Sequence, residues 1–392
     1  MSPAAQGPPQ PASAPGVAGT TATGPQLRLT LNPPNRVFQI ESDASMPKIE
    51  AVCEVLGVTA PAGLIYEWDV TLVLNPAGVP FAMGRTTKHP PIHTQAANPR
   101  FVIPFTAVRG GTLTVRVTAS INGQRITATQ TAEVLGVNPT SGQLRAAGVP
   151  ELLLKLMMAE SSLRQFLRNG SKAGYPVFSQ DGLGGVGLGQ ITPRPNLPTD
   201  DEVWNWKANV KSALRLYAEK RQTAKTYLHS YPHSSEFQTL VKTYNWLRKM
   251  NALAGSQSQA VPVLTPFQPS LPPAQISWPS TPPSATVPPL VAPPQPQQTP
   301  LTVTLPTYTD EMWENETIRL YNGEPVSLHE YIAREDNGVL FVKVAEDGVS
   351  GTAEWHQVTA AERIDTYKTR GLPTRKWGDP DYVNDVKRQI VP

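Results

Sequence analysis

The first third of the chain alternates between apolar and polar residues, which is the pattern of half-buried β-strands. The clearest run is 65–74, where large apolar side chains occupy every second position. Turn sequences rich in Asn, Pro and Gly separate such runs. The predicted strands are 27–31, 37–40, 49–56, 65–74, 101–105, 112–121 and 125–135. Several short strands without a helical repeat predict an all-β sandwich over residues 27–136.

Cys53 and Trp68 lie in two of these strands, and their spacing resembles that of the first cysteine and the core tryptophan of immunoglobulin domains. Cys53 is the only cysteine, so no intramolecular disulfide can form and the resemblance is to the architecture alone. No catalytic cluster accompanies the strands. We therefore expect an immunoglobulin-like accessory or docking module.

A helical pattern begins after Pro150. Apolar residues recur there at three- and four-residue steps, the spacing of one helix face. They are Leu153, Leu156, Met157, Leu163 and Leu167. Glu160 falls on the same face, where a carboxylate is costly unless it is paired or protonated, and burial raises its pKa. Glu160 is thus a candidate proton donor, and the alternative is an i,i+4 ion pair with Arg164.

A glycine-dense loop, 182–192, follows this helix. It contains Gly187, Leu188 and Gly189 and ends near the single amide side chain of Gln190. Glycines allow a ligand to approach the backbone closely. The loop is not a dinucleotide fingerprint, because no strand precedes it and no helix opens at its glycines. Asp181, just before the loop, is either a second carboxylate or a support for the loop.

The region 148–254 is predicted to be mainly helical. One helix opens with a capping box formed by Thr199 and Glu202 and continues through apolar positions to Tyr217. Another uses the apolar stripe within 237–247. Residues 137–147 are predicted to be a linker.

Proline and charge mark the remaining boundaries. Residues 250–309 carry no charge, and prolines are dense between 262 and 306, which predicts a proline-rich insertion or linker over 255–309. Residues 1–26 have the composition of a flexible arm. Residues 310–392 contain few large apolar groups for an independent core. We therefore expect 148–254 and 310–392 to form one split domain.

Composition excludes several function classes. The net charge of +3 has no basic cluster, so nucleic-acid binding is not predicted. No apolar stretch approaches the length of a membrane span, and the N-terminus lacks the pattern of a secretory signal peptide. Pro232 separates His229 from His233 and breaks the helix that a zinc-binding pair needs. We expect no metal and no cofactor.

Four short segments carry a second resemblance. They are Ala159-Glu160-Ser161, Gly187-Leu188-Gly189-Gln190-Ile191, Asn209-Val210 and Leu320-Tyr321-Asn322-Gly323. Together they resemble the lysozyme-like family of soluble lytic transglycosylases, and 381–386 resembles a segment that closes many members. The resemblance implies that Glu160 is the sole catalytic acid, with Ser161 beside it. It also implies that residues 187–190, Tyr321 and Asn322 bind the substrate.

The resemblance has two departures. Gly189 stands where methionine is commoner in the family. Tyr244 and Asn245 form a second Tyr-Asn pair, but Trp246 follows them where glycine is expected. The active-site tyrosine is therefore Tyr321 or Tyr244, and Tyr321 has the better sequence context.

The resemblance implies cleavage of the β-1,4 bond between N-acetylmuramic acid and N-acetylglucosamine in peptidoglycan, leaving 1,6-anhydro ends. The alternatives are a hydrolytic lysozyme that uses Glu160 and Asp181, and a non-catalytic glycan-binding or structural protein. Trp204 and Trp206 are candidates for stacking on sugar rings, and the alternative is that at least one of them belongs to the core. We expect action in the bacterial periplasm or cell wall, reached by a signal-independent or phage-associated route. A delivery apparatus or a cell surface is the expected partner of the sandwich.

Overall fold

The computed structural model describes residues 24–181, 183–192, 198–256, 298–322, 328–336, 339–374 and 378–392. Most of the predicted arm and of the predicted proline-rich segment lies outside these residues. The chain forms two compact units, of which the first comprises Met1–Leu214 with Ile390–Pro392 and the second Arg215–Gln389. Sheets dominate the N-terminal half and helices the C-terminal half, as the sequence pattern predicts.

All seven predicted strands are present, together with two that the sequence pattern does not predict. The strands are β1 (Gln26–Asn32), β2 (Val37–Gln39), β3 (Glu50–Leu56), β4 (Tyr66–Leu74), β5 (Thr87–Lys88), β6 (Ile92–Ala96), β7 (Arg100–Val102), β8 (Gly111–Ile121) and β9 (Gln124–Leu135). One sheet has the order β1-β3-β7. The other has the order β2-β9-β8-β4, and β5 and β6 both pair with the outer edge of β4.

The two sheets share one apolar core. Cys53 of the smaller sheet and Trp68 of the larger sheet are both buried in it. Trp68 stacks on Phe101 with a ring separation of 5.4 Å. Burial raises the pKa of the Cys53 thiol to about 11, so this thiol stays protonated and acts as a small apolar side chain.

The same core continues into the helical part of the first unit. The Trp204 ring is fully buried beside Phe166 and Tyr175, at 5.9 and 6.4 Å. A Cβ at Gly110 would lie 2.2 Å from this ring. Only a glycine therefore lets Trp204 enter the sandwich, and the sandwich and the segment after it form one packed body.

The helices before the proline-rich segment are α1 (Ser141–Ala146), α2 (Glu151–Ser161), α3 (Asp200–Trp204), α4 (Trp206–Ser230) and α5 (Ser235–Ser256), with a 3-10 turn at Tyr231–His233. α1 replaces part of the predicted linker. Its capping box joins Thr140 to Gln143, a Thr-x-x-Gln signal in the sequence.

Two helix predictions need correction. The Glu160 helix does not continue to Leu167, because Ser162 and Leu163 both adopt left-handed backbone angles with φ of 54° and end α2. The helix that opens at the Thr199 capping box is interrupted at Asn205. The Asn205 Oδ1 accepts hydrogen bonds from the Lys207 and Ala208 N–H groups at 2.9 and 3.3 Å and so begins α4 as a separate helix.

The described part of the second unit after the proline-rich segment combines short strands with three helices. These are β10 (Thr302–Thr304), α6 (Asp310–Tyr321), β11 (Tyr331–Ala333), β12 (Glu335–Asp336), β13 (Val339–Leu340), β14 (Val342–Val344), β15 (Ser350–Ala353), β16 (Trp355–Gln357), α7 (Ala360–Thr369) and α8 (Tyr382–Lys387). Ala333, Leu340 and Ala353 share a core with Tyr231 and Phe237. Chain segments on both sides of the proline-rich segment thus pack together, while the predicted split domain around Glu160 stays a prediction.

Among the described residues, no helix is both long enough and apolar enough to cross a membrane.

Candidate functional site

Glu160 lies one residue before the end of α2, and its side chain is half-buried. The buried Ser161 hydroxyl lies 2.9 Å from the Met157 carbonyl oxygen and 3.0 Å from the Leu188 carbonyl oxygen, and its proton is shared between these two acceptors. The same hydroxyl oxygen accepts a 3.3 Å hydrogen bond from the Arg164 N–H. Ser161 therefore joins the end of the Glu160 helix to the glycine-dense loop.

Residues 187–190 form a tight reversal of the chain, here called the glycine turn. Val186 and Ile191 pair on either side of it through two backbone hydrogen bonds. Gly187 has φ of +68° and Gln190 has φ of +44°, both in the left-handed region. The Gln190 side chain closes the turn, since its Nε2 donates to the Gly187 carbonyl oxygen at 2.8 Å.

Every backbone N–H of the glycine turn donates a hydrogen bond inside the protein. The Gly187 and Gln190 N–H groups donate to backbone carbonyl oxygens, those of Val177 at 3.0 Å and of Gly187 at 3.2 Å. The Leu188 N–H donates to the Gln165 Oε1 at 3.2 Å, and the Gly189 N–H donates to the Asn209 Oδ1 at 3.0 Å. These N–H groups are therefore already used. The carbonyl oxygens of Gly187 and Leu188 are used as well, since they accept from Gln190 and Ser161, and within the turn only Gln190 is partly exposed.

Two buried amide side chains lie beneath the turn. The Gln165 Nε2 donates to the carbonyl oxygens of Glu202 and Val203 at 2.9 and 2.8 Å. The Asn209 Nδ2 donates to the carbonyl oxygens of Val186 and Glu202 at 2.9 and 3.2 Å. Gln165 belongs to none of the sequence motifs, and Asn209 belongs only to the Asn209-Val210 motif.

Gly187 is required by this arrangement. A Cβ at this position would lie 2.2 Å from the Gln165 Oε1 and 2.7 Å from the Asn209 Nδ2. Neither atom can retreat without breaking a buried hydrogen bond. The glycine thus serves the packing of the two amides as well as the positive φ.

Asp181 is exposed and fastened to its own loop. Its Oδ1 accepts hydrogen bonds from the Ser179 hydroxyl at 2.5 Å and from the Leu183 N–H at 2.8 Å. These bonds give Asp181 a supporting role in the loop. Its use as a second carboxylate stays a prediction.

The predicted sugar-stacking role of Trp204 and Trp206 is wrong. Both side chains are buried, and each indole N–H donates within the first unit. The Trp204 Nε1 donates to the Thr87 hydroxyl at 2.7 Å, and the Trp206 Nε1 donates to the Ser42 carbonyl oxygen at 3.0 Å. Their large rings fill the core, so neither face is open to a sugar.

Both candidate tyrosines belong to the second unit. Tyr321 is the last residue of α6, and Asn322 follows it as the helix cap. Gly323 lies outside the described residues. Tyr244 lies within α5 and packs against the apolar core of the second unit, as its place on an apolar stripe predicts. The choice between the two tyrosines stays a prediction.

The second unit contains a buried ionic cluster around Glu316. The Glu316 Oε1 accepts from the Arg319 guanidinium, with its Nε at 3.0 Å, and from the His329 Nδ1 at 2.9 Å. Its Oε2 accepts from the Glu330 N–H at 2.8 Å. Burial opposes the charge, but the hydrogen bond from His329 and the charge of Arg319 outweigh it and lower the pKa of Glu316.

A second buried ion pair adjoins this cluster. The Glu330 carboxylate accepts from the Arg363 guanidinium and, at 2.8 Å, from the Gln357 amide. Arg363 also donates to the Leu328 carbonyl oxygen at 2.8 Å. The His329 ring stacks on the Tyr227 ring at 3.4 Å. The ionic cluster is therefore a closed set of partners that fixes α6, α7 and the segment 328–331.

No protein-family model matches the chain, and a comparison with curated proteins gives no match. The described part of the chain contains no group of three or more His, Cys, Asp or Glu side chains suited to hold a metal ion.

Proposed function

We propose that this chain is a peptidoglycan lytic transglycosylase in which Glu160 acts as both acid and base. It would cleave the β-1,4 bond between N-acetylmuramic acid and N-acetylglucosamine and leave 1,6-anhydro ends. The proposal rests on the resemblance of four sequence motifs to that family. It includes a lysozyme-like fold for the helical region and an immunoglobulin-like fold for the sandwich.

One observation carries the proposal. The Ser161 hydroxyl bonds to the Leu188 carbonyl oxygen at 3.0 Å, so two motifs that are separate in sequence meet in space. A half-buried carboxylate thus stands one residue from a contact with the glycine turn. We infer that Glu160 and Gln190, which are both partly exposed, would meet a polar, hydroxyl-rich ligand such as a glycan.

The proposed reaction needs a single carboxyl group. Protonated Glu160 donates its proton to the glycosidic oxygen as the bond to the anomeric carbon breaks. The resulting carboxylate accepts the proton of the muramyl 6-hydroxyl, and the oxygen of that hydroxyl bonds to the anomeric carbon. Because the nucleophile belongs to the substrate, no second carboxylate is required, unlike in most glycosidases. Tyr321 and Asn322, which belong to the second unit, are proposed to bind the substrate.

The proposed setting is the bacterial periplasm or cell wall, reached as a delivered effector or a phage-associated enzyme. The sandwich is proposed to contact the delivery apparatus or the cell surface. These parts of the proposal rest on an analogy with delivered effectors and phage-tail enzymes, in which a sandwich precedes a domain that cleaves peptidoglycan.

The test is mass spectrometry of muropeptides released from purified peptidoglycan. We expect 1,6-anhydro products from the wild-type chain and at least a 100-fold lower rate from Glu160→Gln, since the amide cannot supply a proton. Asp181→Asn is the matched control, and its rate should stay within about threefold of the wild-type rate.

Three outcomes would contradict the proposal. Reducing ends in place of anhydro ends, together with a large loss in Asp181→Asn, would identify a hydrolytic lysozyme. Unchanged release by Glu160→Gln would exclude Glu160 as the acid. Glycan binding without any release would indicate a binding protein.

A further inference from the structure

We propose that three amide side chains, Asn138, Gln165 and Asn209, form a positioning frame that sets the place of the glycine turn relative to Glu160. The role in catalysis rests on the proposed function, but the frame itself is a property of the fold. None of the three is a predicted catalytic or binding residue.

Gln165 is the centre of the frame. Its side chain is fully buried and uses both ends, accepting from the Leu188 N–H and donating to two carbonyl oxygens at the end of α3. One rigid amide therefore fixes the distance between the glycine turn and α3. A buried amide with all partners in place specifies a unique geometry, because any displacement leaves polar groups unpaired.

Asn209 repeats this arrangement from α4. It is also fully buried, accepts from the Gly189 N–H and donates to the carbonyl oxygens of Val186 and Glu202. Consecutive N–H groups of the turn are thus held by two different side chains. The Leu188 carbonyl oxygen between them receives the Ser161 hydroxyl, which carries the position of the turn to the residue next to Glu160.

Asn138 connects the frame to the sandwich. It lies three residues after the end of β9, and its Oδ1 accepts from the N–H groups of Gln165 and Phe166, both at 2.8 Å. Its Nδ2 donates to the Phe166 carbonyl oxygen at 2.8 Å. The backbone that carries Gln165 is therefore fixed by the segment leaving the sandwich, so the sandwich contributes to the candidate site.

The frame is tested directly by amide hydrogen exchange of the full chain. In Gln165→Met, a substitution of similar length, the Leu188 N–H loses its acceptor, and we expect its exchange to accelerate at least tenfold. In Asn209→Leu the same acceleration is expected at the Gly189 N–H. Gln143→Met is the matched control, since Gln143 of α1 bonds the Ser42 carbonyl oxygen and Thr140 but no residue of the turn.

Peptidoglycan release by the same variants tests the positioning role. We expect Gln165→Met and Asn209→Leu to lower kcat at least tenfold, because the turn and Glu160 lose their fixed relation, while Gln143→Met keeps the wild-type kcat. Gln165→Glu adds a rescue test. Its ionised form can still accept from the Leu188 N–H but repels the Glu202 and Val203 carbonyl oxygens, whereas its protonated form can donate to one of them. Protection of the Leu188 N–H, relative to the intrinsic exchange rate at each pH, should therefore increase as the pH is lowered.

Unchanged exchange in both frame variants would overturn the frame. Faster exchange with wild-type turnover would overturn its positioning role. A wild-type chain without glycan cleavage, but with the expected exchange pattern, would refute the proposed function and leave the frame established.

Discussion

The two units hold their backbones with buried polar side chains of different kinds. In the first unit the supports are the neutral amides Gln165 and Asn209. In the second unit they are charged, since Glu316, Glu330 and Arg363 are all buried. Both sets of side chains connect several chain segments, and most of their donors and acceptors form hydrogen bonds within the protein.

The difference concerns what happens when a partner is lost or the pH changes. An unpaired neutral group in a protein interior costs about 1–3 kcal/mol, and it does so at every pH. An unpaired buried charge costs about 3–5 kcal/mol, and it can be relieved by proton uptake. The neutral frame thus offers a fixed geometry, while the ionic cluster is stronger but sensitive to acid.

The largest effect is expected for Arg363→Met in the ionic cluster. It leaves the buried Glu330 carboxylate with only the Gln357 amide, so the second unit should lose about 3–5 kcal/mol of unfolding free energy. Urea unfolding monitored by hydrogen exchange in α7 measures this loss. Arg388→Met, which removes exposed pairs with Asp381 and Asp385, is the control and should cost less than about 1 kcal/mol.

Glu316→Gln should destabilise the second unit by about 3 kcal/mol at pH 7, and this difference from the wild type should shrink with acid. The pKa of Glu316 is lowered in the folded state, so its contribution is complete above its ordinary value of 4.5 and is lost as the pH falls through the lowered value. Unfolding free energies at pH 7, 5 and 3 test the sign. A difference that does not depend on pH would contradict it.

A smaller effect is expected for Gln165→Met in the neutral frame. The Leu188 N–H and the Val203 carbonyl oxygen lose Gln165, while the Glu202 carbonyl oxygen keeps Asn209. The first unit should lose about 2 kcal/mol after the gain from the apolar side chain. This loss should be the same at pH 7 and pH 5, which sharpens the contrast with Glu316. The measurement is urea unfolding monitored by hydrogen exchange in β4 and β8 of the first unit. A loss that grows or shrinks with pH would show that the frame couples to a titrating group.

The smallest effect is expected on the surface of the sandwich. Arg28 and Glu54 form an ion pair with both side chains about half exposed. Arg28→Ala should change the unfolding free energy by less than about 1 kcal/mol, and the difference should fall further in 0.5 M salt. A loss of unfolding free energy as large as that expected for Gln165→Met would contradict the proposal that surface polar contacts contribute less to stability than buried ones.

The long strands of the sandwich, such as β4, β8 and β9, were predictable because their alternation is local and extends over nine or more residues. β5 has two residues, and β6 follows Pro90 and Pro91, so neither displays a period. The capping box at Thr199 predicted a helix start correctly. The interruption at Asn205 was missed, because a side chain that caps its own helix resembles any polar residue in a helical pattern.

The candidate site was predictable only in part. Ser161 and the glycine turn have local motifs, and the structure brings them together. Gln165 has no such signal, because its partners Leu188, Glu202 and Val203 are 23, 37 and 38 residues away. A buried amide is identified by the groups around it, and these are assembled only by the fold.

Gly110 and Gly136 limit how freely the sandwich could be exchanged for another one. A Cβ at Gly110 would lie 2.2 Å from the Trp204 ring, and one at Gly136 would lie 2.3 Å from the Phe166 ring. Aromatic side chains from the following segment thus occupy the space that side chains of the sandwich would normally fill. A chimera that carries a foreign sandwich must keep glycine at both positions and supply an equivalent of Asn138. In an engineered or naturally recombined protein, the transferable block is therefore the sandwich together with the glycine turn.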